Sequence, residues 1–196
     1  MIWALVLAAG ESKRMGKPKL LLPFREKTVI ESVVESVLES EAAHTLVVLG
    51  SGWKRIKEKI SHYPIKTAVN KNFKQGMLSS VQFGFSSIPE NTEAVVVLLG
   101  DQPAIPPAVI NTLIHAYHSS GKGIIIPVYK NERGHPVLID FKYRKKLKSL
   151  HPDVGLRGLV YNHPRDTLEV AVDTPIILRD IDTLKDYKKA LKGKIY

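Results

Sequence analysis

The chain has 196 residues, 44% apolar and 24% charged, enough for a full hydrophobic core and ordinary for a globular protein. It has no cysteine, which excludes disulfides, thiolate metal sites and thiol nucleophiles. Its net charge of +10 favours anionic partners, either nucleic acid or a polyanionic small molecule. The apolar start has no basic stretch before it and ends at Gly10. It is too short to span a membrane and reads as a buried strand over residues 2–7, so the cytoplasm is the expected location. A small, glycine-bearing loop follows over 8–16. Residues 28–41 read as a helix: Glu31 stands three residues after Thr28, the capping-box spacing, and Val29, Val33, Val34, Val37 and Leu38 share one face.

The pattern then predicts a strand at 46–49, a helix at 53–60, a strand at 66–69 and a helix at 78–88. Residues 94–99, AVVVLL, form the continuous apolar run of a central parallel strand buried on both faces. A helix starts at Pro106 or Pro107 and runs to about 119. Strands follow at 123–127 and 135–139, two helical pieces within 147–161, a strand at 168–172 and a closing helix at 184–192. The densest basic stretches, 142–148 and 185–194, read as solvated helix faces rather than a nucleic-acid patch, and nucleic acid is not an expected partner.

Strands alternating with helices imply βαβ units and a mostly parallel sheet covered on both sides, an α/β architecture in one domain over 1–196. Ligands of such sheets bind beyond the carboxyl ends of the strands. That rule selects three loops: 8–19, 69–80 and 100–103.

The first loop lies within LAAGESKRMGKPKLLLP, residues 7–23. Ala8, Ala9 and Gly10 permit close backbone approach, so successive N–H groups can face phosphate oxygens. Arg14 offers a planar fork for phosphate and Lys19 a compact point charge. The spacing is neither that of a Walker A loop nor GxGxxG, and a plain strand-to-loop turn with a solvated basic tip fits the composition as well. In the third loop, LLGDQP, Asp101 follows the buried strand directly. A carboxylate there suits Mg²⁺, which takes one or two carboxylates plus phosphate oxygens and water, although Gly-Asp-x-Pro is also good turn chemistry.

The three loops together resemble the nucleotidyltransferases of molybdenum-cofactor maturation. Residues 7–23 match L-A-A-G-x-S-x-R-M-G-x-x-K-L-L-L-P, and residues 98–103 the G-D-x-P in which the family's aspartate binds Mg²⁺. Residues 70–85, NKNFKQGMLSSVQFGF, are similar to N-P-x-W-x-x-G-M-x-x-S-x-x-x-G, with Lys71 and Phe73 in place of proline and tryptophan. The resemblance implies a three-layer, Rossmann-like fold with a mostly parallel mixed sheet. It places the nucleotide against Leu7, Ala8, Ala9, Gly10, Arg14, Lys19, Gly76, Ser80 and Gly100, with Arg14, Lys19 and Asp101 catalytic. Gly76 and Ser80 would face the base, although a capped helix start explains the serine pair equally. The G-x-x-x-S-V-x-x-G form is similar to cytidylyltransferases and favours CTP over GTP.

On the acceptor side, Arg133-Gly134-His135-Pro136 resembles the family's G-H-P strand start. Residues 153–157 resemble its G-D-x-G-A-R segment, and residues 179–183 its closing D-I-D-T. The resemblance assigns Gln102, His135 and Arg157 to the acceptor. Asp153 reads as part of a short capped helix. Asp182 is either a second metal carboxylate or the cap of the last helix. The implied reaction is in-line attack by an acceptor phosphate on the α-phosphorus of the nucleotide, releasing pyrophosphate. The implied acceptor is molybdopterin, and a molybdenum hydroxylase is a possible downstream partner. A sugar-1-phosphate transferase and a non-catalytic maturation partner are the competing readings.

Overall fold

The computed structural model describes residues 1–192. Ten strands and seven helices alternate along them. The strands are β1 (Ile2–Ala8), β2 (Pro23–Phe24), β3 (Lys27–Thr28), β4 (His44–Leu49), β5 (Lys66–Val69), β6 (Ala94–Leu99), β7 (Ile124–Tyr129), β8 (Glu132–Arg133), β9 (Val137–Asp140) and β10 (Thr167–Ala171). The helices are α1 (Val29–Leu38), α2 (Trp53–Ile60), α3 (Met77–Ser87), α4 (Pro107–Ser120), α5 (Arg144–Lys148), α6 (Arg157–Asn162) and α7 (Leu184–Leu191). The basic stretch read at 185–194 extends past the described residues.

The main sheet runs β10-β7-β9-β6-β1-β4-β5, with β8 hydrogen-bonded to β7. Strands β5, β4, β1 and β6 are mutually parallel, as are β7 and β10, while β9 is antiparallel to both its neighbours. This is the three-layer Rossmann-like α/β architecture. The apolar runs of the central strands serve two cores at once, because side chains alternate across a strand. Ala4, Val6, Val96 and Leu98 face the core under α1, α2 and α4. Trp3, Leu5, Val95 and Val97 face the one under α3, α5 and α6. No helix among the described residues is long and apolar enough to cross a membrane.

Several boundaries differ from the sequence reading. The capping box of Thr28 and Glu31 forms, but α1 stops at Leu38 rather than 41. There Ser40 Oγ donates to the Val37 carbonyl and accepts from the Ala42 N–H, diverting the chain from the helical ladder. Strand β9 begins at Val137, not 135. Pro136 has no N–H to donate, and the His135 N–H is taken by the Ile177 carbonyl. The β7–β8 hairpin was not legible: its turn residues Lys130 and Asn131 adopt positive φ, 48° and 67°, without the glycine that usually marks such turns. Asp153 does not cap a helix; α6 starts at Arg157 with Leu156 at its cap position, and Asp153 is exposed in a turn.

Candidate active site

The parallel strands deliver the three expected loops to one edge. The Gly100 N–H donates to the Leu7 carbonyl and the Asn70 N–H to the Leu49 carbonyl, so the loops leave the sheet side by side. Two glycines make this approach possible. A Cβ on Gly100 would lie 2.8 Å from the Leu7 oxygen, and one on Gly50 would lie 2.6 Å from the Ala9 oxygen and 2.8 Å from Phe73 Cβ. Gly50 therefore sets how closely the first loop meets the second.

Between these loops lies a cavity of about 400 Å³. Its walls include Leu7, Ala9, Gly10, Arg14 and Lys19 from the first loop, and Phe73, Gly76, Met77 and Ser80 from the second. Asp101 lines it from the third loop, and Asp180 and Asp182 from the segment before α7. Ala8 and Gly100 stand behind this wall as spacers.

Lys19 is the hub. Its ammonium donates to Asp101 Oδ2 at 2.5 Å and to Asp182 Oδ1 at 2.9 Å, while Arg14 Nη2 donates to the other oxygen of Asp182 at 2.9 Å. Burial alone would lower the Lys19 pKa, but Asp101 and then Asp182 outweigh it and hold the ammonium above the usual lysine range. The Lys19 N–H donates to Ser12 Oγ, which steadies the loop backbone. Ser12 itself sits at φ 53°. The Ile181 N–H donates to the Asp101 carbonyl, tying the backbone of the third loop to that of the closing segment. Asp182 does not cap α7: Thr183 does, reciprocally with Asp186.

Asp180 was not singled out from the sequence. Asp180 and Asp182 both line the cavity, so the i, i+2 spacing of Asp-Ile-Asp was a readable signal for two carboxylates on one side. Surrounding protein, and then the negative charge of Asp101, push the Asp180 carboxyl above its usual range. Gln102, expected on the acceptor, is buried. Its amide donates to Asp180 Oδ1 at 3.1 Å and to the Ile177 carbonyl at 3.5 Å, and its side chain does not line the cavity. The Gln102 donors are thus committed to Asp180 and Ile177 inside the protein.

In the second loop the helix cap is Gly76, at φ 95°, rather than a serine. Ser79 Oγ donates back to the Gly76 carbonyl. The organiser is Asn70, a second residue that the sequence reading passed over. It is buried, its Nδ2 donates to both Ser79 and Ser80 Oγ at 3.1 Å, and its Oδ1 accepts from the Asn72 N–H. With Asn70 donating to it, the Ser80 hydroxyl keeps its own proton for a partner in the cavity.

His135 and Arg157 line a second, smaller cavity of about 200 Å³ between the sheet and α6, walled by Ile126, Val137, Leu156 and Val160. Burial lowers the His135 pKa, the negative charge of Asp101 opposes that shift, and the Arg157 cation adds to it, which favours a neutral imidazole.

Hard oxygen donors are the groups a divalent magnesium-type ion takes, and Asp101 and Asp182 present them with a cation already drawn between them. Among the described residues no group of three or more histidine, aspartate or glutamate side chains forms a metal cluster. Two carboxylates completed by phosphate oxygens is the arrangement that fits.

Comparison with known proteins identifies the family. The MobA-like NTP transferase domain matches residues 4–179. The chain is 27% identical to nicotine blue oxidoreductase of Paenarthrobacter nicotinovorans, covering 97% of this chain and 96% of that one. It is 24% identical to the molybdenum cofactor cytidylyltransferase of Escherichia coli K12, covering 93% and 92%. Among solved structures, Rv0371c of Mycobacterium tuberculosis H37Rv superposes with a TM-score of 0.87 at 28% identity over 97% of both chains. A manganese complex of that protein superposes with a TM-score of 0.83 at 26% identity over 98% of both. The family match spans nearly the whole sheet and all three loops, and the chain belongs to the MobA-like NTP transferase family as a nucleotidyltransferase.

Proposed function

We propose that this nucleotidyltransferase transfers CMP from CTP to the phosphate of molybdopterin and releases pyrophosphate. The observation that carries the reading is the convergence of Lys19, Arg14, Asp101 and Asp182 in the cavity at the carboxyl edge of the sheet. The form of the second loop favours cytosine. So does the cytidylyltransferase relative, which matches 93% of the chain, whereas a guanylyltransferase of Natranaerobius thermophilus matches 64%. The apolar walls around His135 and Arg157 suit the faces of a flat ring system whose polar edge and phosphate meet those two side chains, and suit a bare sugar phosphate less well.

Asp101 and Asp182 would hold Mg²⁺, which supplies charge neutralisation when bound. The chain's own residues do the rest. Backbone N–H groups near Gly10, with Arg14 and Lys19, receive the triphosphate oxygens. Ser80 and the backbone at Gly76 meet the base. Arg157 draws the acceptor phosphate toward the α-phosphorus, and a neutral His135 offers a hydrogen bond without adding charge. In-line attack then expels pyrophosphate, with positioning and electrostatics as the catalytic means. The same reading places the protein in the cytoplasm and makes a molybdenum hydroxylase the recipient of the product.

An acceptor screen tests the assignment. With CTP and Mg²⁺, pyrophosphate release is expected to depend on molybdopterin, and release supported equally by a sugar-1-phosphate would contradict it. The phosphate cradle has its own test. Lys19→Ala is expected to weaken CTP binding more than CMP binding in calorimetry, since one close ion pair at an effective dielectric near 20 contributes about 4 kcal/mol before desolvation. Equal losses for the two ligands would refute the cradle.

A further inference from the structure

The cations expected to hold the triphosphate are paired with the carboxylates expected to hold the metal. Lys19 Nζ lies between Asp101 Oδ2 and Asp182 Oδ1, at 2.5 and 2.9 Å, and Arg14 binds the other oxygen of Asp182. A metal ligated by both Asp101 and Asp182 needs the point that the ammonium fills. We infer that metal and triphosphate bind cooperatively by exchanging partners with this network: the metal takes Asp101 and Asp182, and Lys19 and Arg14 pass to the phosphate oxygens. The inference rests on the metal reading above.

Which groups move follows from how they are held. The carboxylate side is fixed, because the Ile181 N–H binds the Asp101 carbonyl and Thr183, next to Asp182, caps α7. The cation side is jointed. The Lys19 backbone is steadied by Ser12, while its four-carbon stem can swing without moving the loop. The Arg14 side chain is 71% exposed and meets little resistance. Each ligand alone breaks ion pairs and leaves the released charges uncompensated. Metal alone strands two cations in the cavity, and triphosphate alone faces two bare carboxylates. Bound together, the two ligands leave every charge with an opposite partner. Such coupling is reciprocal and commonly spans about 5–150-fold in affinity.

The exchange predicts opposite effects from two substitutions. Binding of Mn²⁺ alone would be followed by electron paramagnetic resonance, and binding of inorganic pyrophosphate in chelator by calorimetry. Lys19→Met is expected to bind Mn²⁺ about tenfold tighter than the wild type, and pyrophosphate more weakly. Asp182→Asn is expected to bind metal-free pyrophosphate tighter and Mn²⁺ more weakly. Lys17→Met removes an exposed charge from the same loop and should match the wild type in Mn²⁺ affinity. Lys19→Met binding Mn²⁺ no tighter than wild type would overturn the exchange and leave the metal site standing. Equal tightening in Lys17→Met would reduce the effect to net charge and overturn it as well. Failure of the wild type to bind Mn²⁺ even with pyrophosphate present would overturn the metal reading itself, and the exchange with it.

Discussion

Asp101→Ala is expected to lower nucleotidyl transfer roughly a thousandfold, about 4 kcal/mol of transition-state stabilisation, while the protein stays folded. The carboxylate lines the cavity directly after β6, where it faces Lys19, and its backbone is already anchored through the Ile181 and Gly100 neighbourhood. Its side chain takes no part in the core, so removal leaves the sheet intact. It also leaves Lys19 with Asp182 as its remaining carboxylate, which preserves the loop position. The loss should therefore fall on turnover. Circular dichroism and a thermal melt check the fold, and pyrophosphate release with saturating Mg²⁺ checks the chemistry. Near-wild-type release would remove Asp101 from the site.

The largest expected stability effect lies outside the cavity. Phe85→Ala should cost about 3–5 kcal/mol in urea unfolding. Phe85 is 1% exposed, inside the core between α3 and the sheet, and its ring stacks on Phe141 with centroids 5.9 Å apart. Truncation leaves a cavity that the surrounding Val81, Val95 and Ile139 cannot fill by themselves. Because α3 also carries Ser80, a secondary rise in KM is expected, with kcat largely preserved at temperatures where the variant is folded. A loss under about 1 kcal/mol would mean that this core collapses readily around the missing ring.

The sequence made the sheet legible where burial imposes a single pattern. Residues 94–99, short and rich in valine, read as a strand covered on both faces, and the structure divides their side chains between two cores. Thr28 and Glu31 marked the start of α1 because capping is a local device. The antiparallel sense of β9 was not legible. It depends on Glu132–Arg133 turning back after Lys130 and Asn131, a turn without glycine, and on Ile177 taking the His135 N–H from 42 residues away, as their numbers show.

The site divides in the same way. The three loops follow from strand ends and motifs, both local. The union of Lys19 with Asp182, 163 residues apart, depends on where the chain after β10 returns, and local spacing carries no record of that return. The same return decides that Gln102 turns inward to Asp180, whereas the Thr183 cap of α7 is a local capping box with Asp186, at the spacing seen in Thr28 and Glu31. Asn70 is an intermediate case. It opens the second-loop motif in plain view, but its role as double donor to Ser79 and Ser80 appears only when the helix start folds back over it.

The measurement that tests the central claim most directly is a thermal-shift panel of the protein with CTP, GTP, ATP and UTP, each with and without Mg²⁺. A ligand at about 100 times its Kd adds roughly 2.7 kcal/mol of stability, an easily resolved shift. The expected result is a Mg²⁺-dependent stabilisation that is largest with CTP. A larger shift with GTP or UTP would contradict the cytidylyl assignment, and no shift with any triphosphate would contradict the nucleotide site.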